Sequence, residues 1–216
     1  MAGLKVAVLI SGRGSNLQSL IDAQANPAYP AEIVNVISNV PDAPGLVRAA
    51  RAGIPTRVID HRNFDGREAF EAAVNEALAE AGVELICLAG FMRILTRGFV
   101  EKWRNRLINI HPSLLPAFKG LHTHERAIEA GVKFAGCTVH YVRPEMDEGP
   151  IIIQAAVPVA PNDTPEVLAA RVLNMEHRIY PFAVRLIAEG KARVNGERVE
   201  IDGAYVPEGT ITNPSE

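Results

Sequence analysis

Residues 4–18 read LKVAVLISGRGSNLQ. The first seven of them, 4–10, are mostly apolar and rich in valine, which is typical of a strand buried on both faces. A turn with two glycines follows, and Ser15 and Asn16 then open a segment with helical spacing. A strand that leads through a tight turn into a helix is the repeating unit of a parallel α/β sheet, so this stretch predicts that fold class.

The alternation of strand and helix continues along the first half of the chain. Further apolar runs rich in β-branched residues follow at 32–38, 55–60, 83–90 and 107–111. Helical patterns lie between the strands at 16–26, 43–53 and 66–82. Because strands that are apolar throughout must be covered on both faces, the pattern predicts an α/β fold with a Rossmann-like open twisted sheet. This sheet should be mainly parallel, with helices on both faces.

The pattern changes after residue 132. Two strand-like runs, 133–142 and 150–159, are separated by a connection too short for a helical crossover, so we expect an antiparallel C-terminal extension of the sheet. We expect one domain, residues 1–216, in three parts: a parallel α/β nucleotide-binding part at 4–111, a second part with a long helix at 112–207, and a loose tail at 208–216.

The long helix of the second part is predicted at 164–189, with Thr164 as its N-cap. Pro181 lies inside it and is expected to kink or break it, because proline cannot donate a helical hydrogen bond. A small hairpin is predicted at 192–201, and Asn195-Gly196 is a favoured dipeptide for its turn.

The composition excludes several classes of protein. The 216 residues carry a net charge of -3, without the basic stripe that nucleic-acid binding requires. No apolar run is long enough to span a membrane and the N-terminus lacks the features of a signal peptide, so we expect a cytoplasmic protein. Cys87 and Cys137 lie in apolar runs and are interpreted as buried thiols.

The glycine turn is a candidate phosphate site, because backbone N–H groups at a helix N-terminus favour an anion. It lacks the third glycine of the dinucleotide fingerprint, since Leu17 stands at that position, and it lacks the Gly-Lys-Ser/Thr ending of the nucleoside-triphosphate loop. The pattern therefore favours one phosphate monoester on Gly14, Ser15 and Asn16. A plain tight turn with a capping side chain is the alternative, and this stretch alone does not decide between them.

A second candidate site lies at the end of the strand 107–111, LINIH. Asn109 and His111 are two residues apart on it and so point to the same face. Pro112 then restricts the chain that leaves His111. In open parallel sheets ligands bind beyond the carboxyl ends of the strands, where this stretch, the glycine turn and GFMR at 90–93 converge. A histidine that is hydrogen-bonded to main chain is the alternative.

The acidic connection RPEMDEG, 143–149, offers a partner for this histidine. The functional interpretation needs Asp147 to turn inward beside His111, whereas the ordinary one is a solvated acidic turn. Four histidines, His111, His122, His124 and His140, are available for metal binding. His122 and His124 have the spacing for one face of a strand, but they lie in a loop or at a helix start. No pair of cysteines or histidines with zinc spacing accompanies them, so we predict no metal site.

Five motifs carry a resemblance to a known family: LISGRGSNLQ, LAGFMRIL, NIHPSLLPAFKGLHTH, GCTVHYV and MDEGPIIIQ. In this order they resemble the folate-dependent phosphoribosylglycinamide formyltransferases of purine synthesis, from about residue 4 to about residue 207. The resemblance implies no tightly bound cofactor and 10-formyltetrahydrofolate as a co-substrate. The chain departs from the family pattern at Pro144, and at AFKG, where a tyrosine-proline pair is more usual.

The resemblance also implies roles for individual residues. It assigns catalysis to Asn109, His111 and Asp147, the substrate phosphate to Gly14, Ser15 and Asn16, and the substrate ribose to Glu176. It makes 112–207 the folate-side part of the chain. It assigns folate contacts to residues of both parts: Arg67, Leu88, Met92, Arg93, Ile94, Leu95, Leu107, Val142, Arg143 and Glu145. The pteridine would contact main-chain groups of 93–95 and 142–147, with Arg67 near the glutamyl tail.

The implied reaction transfers the formyl group of 10-formyltetrahydrofolate to glycinamide ribonucleotide in de novo purine (IMP) biosynthesis. The expected partners are these small molecules, with no nucleic acid and no membrane, and the expected state is a monomer or homodimer. A formyltetrahydrofolate deformylase, in which water replaces the amine, is the alternative, and a non-catalytic phosphosugar-binding module is a second one. Related deformylases usually carry an N-terminal regulatory domain and transfer-RNA formyltransferases a basic C-terminal domain. Since strand one starts at residue 4 and the sequence stops at 216, we expect neither.

Overall fold

The computed structural model describes residues 3–203, 209 and 211–214. The strands of this part are β1 (Leu4–Ile10), β2 (Ala31–Ser38), β3 (Thr56–Val58), β4 (Leu85–Leu88), β5 (Leu107–His111), β6 (Phe134–Tyr141), β7 (Ile151–Pro158), β8 (Ala192–Asn195) and β9 (Arg198–Ile201). The α-helices of the same residues are α1 (Ser15–Gln24), α2 (Pro44–Arg51), α3 (Arg67–Glu80), α4 (Arg97–Lys102), α5 (Thr123–Glu129) and α6 (Pro165–Ala188). A 3-10 turn at His61–Asn63 precedes α3.

The first seven strands form one sheet in the order β3-β2-β1-β4-β5-β6-β7. The neighbours from β3 to β5 are parallel, and β6 and β7 extend the sheet antiparallel. The predicted fold class is therefore confirmed. The chain passes from β3 at one edge to β4 beyond β1, and this reversal of strand order leaves a crevice at the carboxyl ends of β1 and β4, where such sheets bind their ligands.

Both faces of the sheet are apolar and covered. Along β1, Val6, Val8 and Ile10 belong to the core cluster under α1 and α6, whereas Ala7 and Leu9 belong to the one under α3 and α4. Each large apolar side chain buried in these layers contributes about 1.5–3 kcal/mol to stability. The strand ends at the crevice are thus held from both sides, which makes them a rigid support for a site.

Helix α6 runs unbroken through Pro181, so the predicted break is wrong. Packing on both sides of the proline explains this. The buried Tyr180 donates its hydroxyl to the carbonyl of Leu88 at 2.8 Å, and Tyr29 donates to the carbonyl of Pro181 at 2.8 Å. These tertiary contacts offset the one helical hydrogen bond that proline cannot make. Thr164 caps the helix as predicted, accepting from the N–H of Val167.

Two short helices, α4 and α5, were not predicted, because six and seven residues are too few to show a helical period. Thr96 caps α4 and is tied to α3, since its N–H donates to the carboxylate of Glu71 at 2.7 Å. The predicted strand at 55–60 is reduced to β3, because the Asp60 side chain accepts from the N–H of Arg62 and begins the 3-10 turn.

The predicted hairpin is present, with Gly196 in the left-handed region at φ 60°. The predicted loose tail, 208–216, lies largely outside the described residues. Cys87 and Cys137 are buried as predicted, and burial raises the pKa of both thiols to about 12. Of the helices in the described part of the chain, none is long and apolar enough to cross a membrane.

Candidate active site

The glycine turn after β1 is fixed by close packing against α2. Gly14 is the N-cap of α1 and has φ 69° and ψ 33°, a left-handed conformation that favours glycine. A Cβ at Gly14 would lie 2.7 Å from the Cα of Gly45, and the N–H of Gly45 donates to the carbonyl of Gly12 at 3.0 Å. Glycine is therefore required at position 14 for conformation and for space. The first N–H groups of α1 follow this turn and have no partner within the helix.

Asn16 and Glu176 meet beside this turn, although 160 residues separate them. The Asn16 side-chain amide donates to Oε2 of Glu176 at 2.7 Å. Oδ1 of Asn16 is buried and has no hydrogen-bond partner among the residues that the structure describes. Burial raises the pKa of the Glu176 carboxyl, and the hydrogen bond from Asn16 opposes that rise. The pair thus presents a buried carboxylate and a free amide oxygen, which are acceptors for hydroxyl groups and other donors.

Asn109 and His111 share one face of β5, as predicted. His111 is buried, and its Nε2 lies 3.1 Å from the carbonyl oxygen of Phe118. The main-chain partner that was the alternative interpretation is therefore present. That contact uses only one of the two ring nitrogens, because Nδ1 faces a second acceptor, Oδ1 of Asp147, at 3.4 Å.

Asp147 turns inward beside His111, which is the geometry that the functional interpretation needed. Its Oδ2 accepts the N–H of Gly120 at 2.7 Å, so its two oxygens face the imidazole and the loop after β5. Asp147 has φ 51°, an unusual conformation for a residue other than glycine. At Gly149 a Cβ would lie 2.0 Å from the carbonyl oxygen of Tyr141, so glycine there lets the connection fold back on β6.

His140 joins the cluster and was not predicted. The antiparallel register of β5 and β6 pairs Asn109 with His140, and Nδ2 of Asn109 lies 3.5 Å from Nε2 of His140. Nδ1 of His140 lies 3.0 Å from the carbonyl of Tyr141, so the neutral ring donates there and leaves Nε2 as an acceptor. Burial lowers the pKa of His140 and favours this neutral form. The sequence could have pointed to His140 only through the pairing of β5 with β6, which brings His140 opposite Asn109.

The loop that leaves β5 is anchored at the last residue pair of that register, His111 with Thr138. The Thr138 hydroxyl donates to the carbonyl of Ser113 at 2.7 Å and accepts the N–H of Leu115 at 3.1 Å. The loop is thereby held above the cluster, with the Phe118 carbonyl on the imidazole and the Gly120 amide on the acid.

The residues assigned to the folate differ in burial. Met92 and Ile94 expose 70% and 62% of their surface, as a ligand-contacting wall requires, whereas Leu88 and Leu107 are buried in the core layer against α3 and α4. Leu95 and Val142 pack partly buried against that layer. Arg67 is exposed at the N-terminus of α3, and Arg93 lies between the two exposed apolar residues.

Two assigned folate residues have their side chains engaged elsewhere. Arg143 is buried and bonded to Glu197 and Asn105, and Glu145 pairs with Arg97 at 3.0 Å. The predicted contact is therefore left to main chain, where the Arg143 N–H donates to the Glu148 carbonyl and the Glu145 carbonyl accepts from the Glu148 N–H. Among residues 3–203, 209 and 211–214, no group of three or more His, Cys, Asp or Glu side chains is arranged to hold a metal ion.

An anion-favouring turn, a buried carboxylate and an amide–imidazole–acid cluster at the carboxyl edge of a Rossmann-like sheet are features of enzymes that act on small phosphorylated molecules. A comparison with known protein families narrows this class of enzyme to one family. Residues 4–184 match the formyl transferase family, and the chain belongs to it. The resemblance predicted from the motifs is confirmed.

The relatives agree with this membership. The chain is 44% identical over 209 residues to the phosphoribosylglycinamide formyltransferase of Haemophilus influenzae, covering 97% of this chain and 99% of that one. The structure of glycinamide ribonucleotide transformylase 1 from Symbiobacterium toebii is similar with a TM-score of 0.90 at 50% identity, over 92% of this chain and 94% of the other. A trifunctional purine biosynthetic protein of Gallus gallus is 55% identical over 191 residues. That match covers 88% of this chain, which spans only about a fifth (19%) of the Gallus protein.

Proposed function

We propose that the protein transfers the formyl group of 10-formyltetrahydrofolate to the primary amine of glycinamide ribonucleotide. The products are formylglycinamide ribonucleotide and tetrahydrofolate, in de novo purine biosynthesis. The observation that carries the proposal is the pair formed by Asn16 and Glu176 beside the Gly14 turn, at 2.7 Å. It adds a phosphosugar pocket to the amide–imidazole–acid cluster, and only an enzyme with a phosphosugar acceptor has a use for both.

The pocket matches the remote end of the ribonucleotide. The N–H groups of Ser15 and Asn16, at the N-terminus of α1, bind the phosphate, because the helix dipole and unpaired donors favour an anion there. The Glu176 carboxylate accepts from the ribose hydroxyls. Binding energy from these groups, which do not react, brings the amine into line with the formyl carbon.

The cluster supplies what attack on the formyl carbon requires. The amine nitrogen adds to that carbon and the formyl oxygen becomes an oxyanion, which Asn109 stabilises by donating a hydrogen bond and His111, as imidazolium, stabilises by its positive charge. Collapse breaks the bond from carbon to the folate nitrogen, and the proton lost by the amine is delivered to that nitrogen. Nε2 of His140 accepts from the Asn109 amide. This contact fixes the orientation of that amide, with its nitrogen rather than its oxygen at this position.

His111 handles the proton through Nδ1. Its Nε2 is anchored on the Phe118 carbonyl, which accepts and therefore retains a proton on that nitrogen. Nδ1 is left free to gain and lose the other proton beside Asp147 at 3.4 Å. The carboxylate stabilises the imidazolium while it lasts and relays the proton directly or through one water.

The folate is proposed to lie in the part of the crevice between the 90–96 loop and the 142–149 connection. Met92 and Ile94 offer exposed apolar surface, and the main chain of 93–95 and 142–147 offers donors and acceptors for the pteridine. Arg67, exposed at the start of α3, is placed to pair with the glutamyl carboxylates. We propose no resident cofactor, because the folate is consumed and released in each turnover.

We further propose that residues 1–216 act as a single domain in the cytoplasm, as a monomer or homodimer, on these small molecules alone. Both substrates are polar, diffusible metabolites. The near-neutral charge balance of the chain gives no basis for nucleic-acid binding.

The proposal is tested by following tetrahydrofolate formation by absorbance, and formate by a coupled assay, with and without glycinamide ribonucleotide. Folate turnover should depend on the ribonucleotide, with formate release a minor leak. Glu176→Ala should impair use of the ribonucleotide and leave the leak unchanged, because Glu176 does not touch the formyl group. Rapid formate release without an amine would instead assign a formyltetrahydrofolate deformylase. Phosphosugar binding without any folate turnover would assign a non-catalytic module.

A further inference from the structure

Arg143 is a buried cation that the proposed chemistry does not use. Its side chain is only 6% exposed. Nε donates to Oε2 of Glu197 at 2.9 Å, one terminal nitrogen donates to Oδ1 of Asn105 at 3.1 Å, and the other donates to the carbonyl of Val142 at 3.3 Å. The planar guanidinium thus has an acceptor for each of its three nitrogens.

These acceptors belong to three separate segments. Val142 opens the connection from β6 to β7, Asn105 lies in the turn between α4 and β5 with φ 58°, and Glu197 stands at the tip of the β8–β9 hairpin. The other oxygen of Glu197 accepts from Arg104 at 3.0 Å. One side chain therefore joins the acidic connection to the turn before the catalytic strand and to the hairpin tip.

Arg143 also closes the base of the connection that carries Asp147. Its N–H donates to the carbonyl of Glu148 at 3.2 Å, so the main chain returns on itself around Asp147. A Cβ on Gly149 would lie 3.0 Å from Cγ of Arg143, which shows how closely its aliphatic stem packs on the returning chain. Movement of the Arg143 side chain would therefore move the backbone on both sides of Asp147.

The position of Arg143 depends in turn on the hairpin. A buried cation is unfavourable unless it is paired, and in the described part of the chain Glu197 is the one carboxylate within 4 Å of this guanidinium. Glu197 is itself half exposed, so its own charge stays solvated and the pair costs little to form. Without Glu197, Arg143 would gain by turning out to solvent and would release the base of the connection.

We propose that Arg143 is a positioning residue, and that the hairpin residue Glu197 holds it so that Asp147 faces Nδ1 of His111. This rests on the proposed role of Asp147 as the acid of the formyl transfer. It gives the β8–β9 hairpin a part in catalysis through the contact of Glu197 with Arg143. It also assigns the Arg143 side chain a function away from the folate, whose proposed contact is with main chain.

The test uses Arg143→Met, which keeps the aliphatic stem, and Glu197→Gln, which keeps one acceptor oxygen. Displacing a catalytic group by about 1 Å costs roughly 10²-fold in rate, so Arg143→Met should lower kcat by ~10- to 100-fold. Glu197→Gln should lower it less. KM for the ribonucleotide should not change, because the Gly14 turn lies on another strand end. The matched control is Glu200→Gln on the same hairpin, which should behave as wild type, since Glu200 bonds only Asn195 among the described residues.

A second readout separates positioning from general stability. The N–H of Gly120 donates to Asp147, so its hydrogen exchange reports where that carboxylate lies. Exchange at Gly120 should accelerate in Arg143→Met and Glu197→Gln and stay unchanged in Glu200→Gln. In an Asp147→Asn background, Arg143→Met should cost no further turnover. An unchanged kcat, an unchanged Gly120 amide, or an equal loss in the Asp147→Asn background would each overturn the proposal.

Two complications leave the test intact. If Arg143→Met fails to fold, Glu197→Gln and Glu197→Ala carry the same comparison on an exposed residue. If the wild-type protein proves to release formate rather than to transfer it, the same cycle is measured on formate release, because Asp147 lies beside the formyl carbon in either reaction. Failure of the proposed function is then distinguishable from failure of this inference.

Discussion

Nδ1 of His111 lies 3.4 Å from Oδ1 of Asp147, across the gap between the end of β5 and the connection that follows β6. The loop after β5 touches both residues, since the Phe118 carbonyl accepts at Nε2 and the Gly120 amide donates to Oδ2. Each of the two ring nitrogens therefore faces an acceptor: Nε2 faces the Phe118 carbonyl and Nδ1 faces the Asp147 carboxylate. The two residues form one proton-handling unit.

A double-mutant cycle on this unit should show strong coupling. His111→Ala and Asp147→Asn should each lower kcat by about 10²–10³-fold, the usual loss for one oxyanion-stabilising group. The double variant should lose far less than the product of the two, because Asp147 acts through the imidazole. Steady-state kinetics on purified variants measures this. His122→Asn, an exposed histidine whose left-handed backbone asparagine tolerates, is the control and should retain full turnover. Multiplicative losses would show independent roles.

The glycine turn gives a prediction with a control two residues away. Gly14→Ala should raise KM for the ribonucleotide far more than KM for the folate, because φ 69° and the Gly45 backbone at 2.7 Å leave no room for a methyl group. Gly12→Ala should leave both constants unchanged, since beyond its chain neighbours no heavy atom of the described residues lies within 4 Å of its added Cβ. Thermal melts of both variants separate unfolding from a local effect. Equal rises in the two Michaelis constants for Gly14→Ala would count against the phosphate assignment.

The loop at 112–122 should become more protected when both substrates are bound. It already places the Phe118 carbonyl and the Gly120 amide on the catalytic pair, and Phe118 has φ 52°, a conformation that a bulky residue adopts only when its contacts hold it there. Hydrogen exchange over 114–121 should slow on adding the ribonucleotide with a non-reactive folate analogue. The hairpin turn at 195–197 is the internal reference and should not change. Unchanged exchange in the loop would show that it does not close over the bound substrates.

The sequence predicted what depends on short-range periodicity. The apolar runs of β1 and β5 indicated a parallel sheet, and the spacing of Asn109 and His111 placed both on one face, as observed. The glycine turn was located because strand, glycines and helix are contiguous. These features follow from local geometry, which neighbouring residues determine.

The rest depended on contacts between distant segments. The inward turn of Asp147 is set by Gly149 against β6 and by Arg143 against Asn105 and Glu197. Such contacts leave no periodic signal, and an acidic turn has the same composition whether it faces solvent or a histidine. The part of His140 was hidden for another reason: it appears only once β5 and β6 are aligned in register.

Glu176→Gln should show that the proposed ribose acceptor is held at a cost in stability. Burial raises the folded-state pKa of Glu176 above its unfolded value of about 4.3. Below that value the group is neutral in both states and carries no penalty. As the pH rises through the window between the unfolded and folded values, the unfolded chain ionises first and the wild type loses stability. Glutamine keeps an oxygen for Asn16 and never ionises, so the variant should melt higher at pH 8.

The excess stability of Glu176→Gln over the wild type should shrink toward zero as the pH falls to about 4.3. Each kcal/mol of difference in stability corresponds to about 2–4 °C in Tm. Glu166→Gln, in the first turn of the same helix, is a control of opposite sign. The hydrogen bond from Thr164 lowers the pKa of Glu166, so its loss should not stabilise the protein at any pH.

In kinetics Glu176→Gln should raise KM for the ribonucleotide about tenfold, because a hydrogen bond to a charged group is worth about 1.5–3 kcal/mol. A variant that is more stable and binds the ribonucleotide as well as the wild type would remove Glu176 from the site and leave its burial without a function.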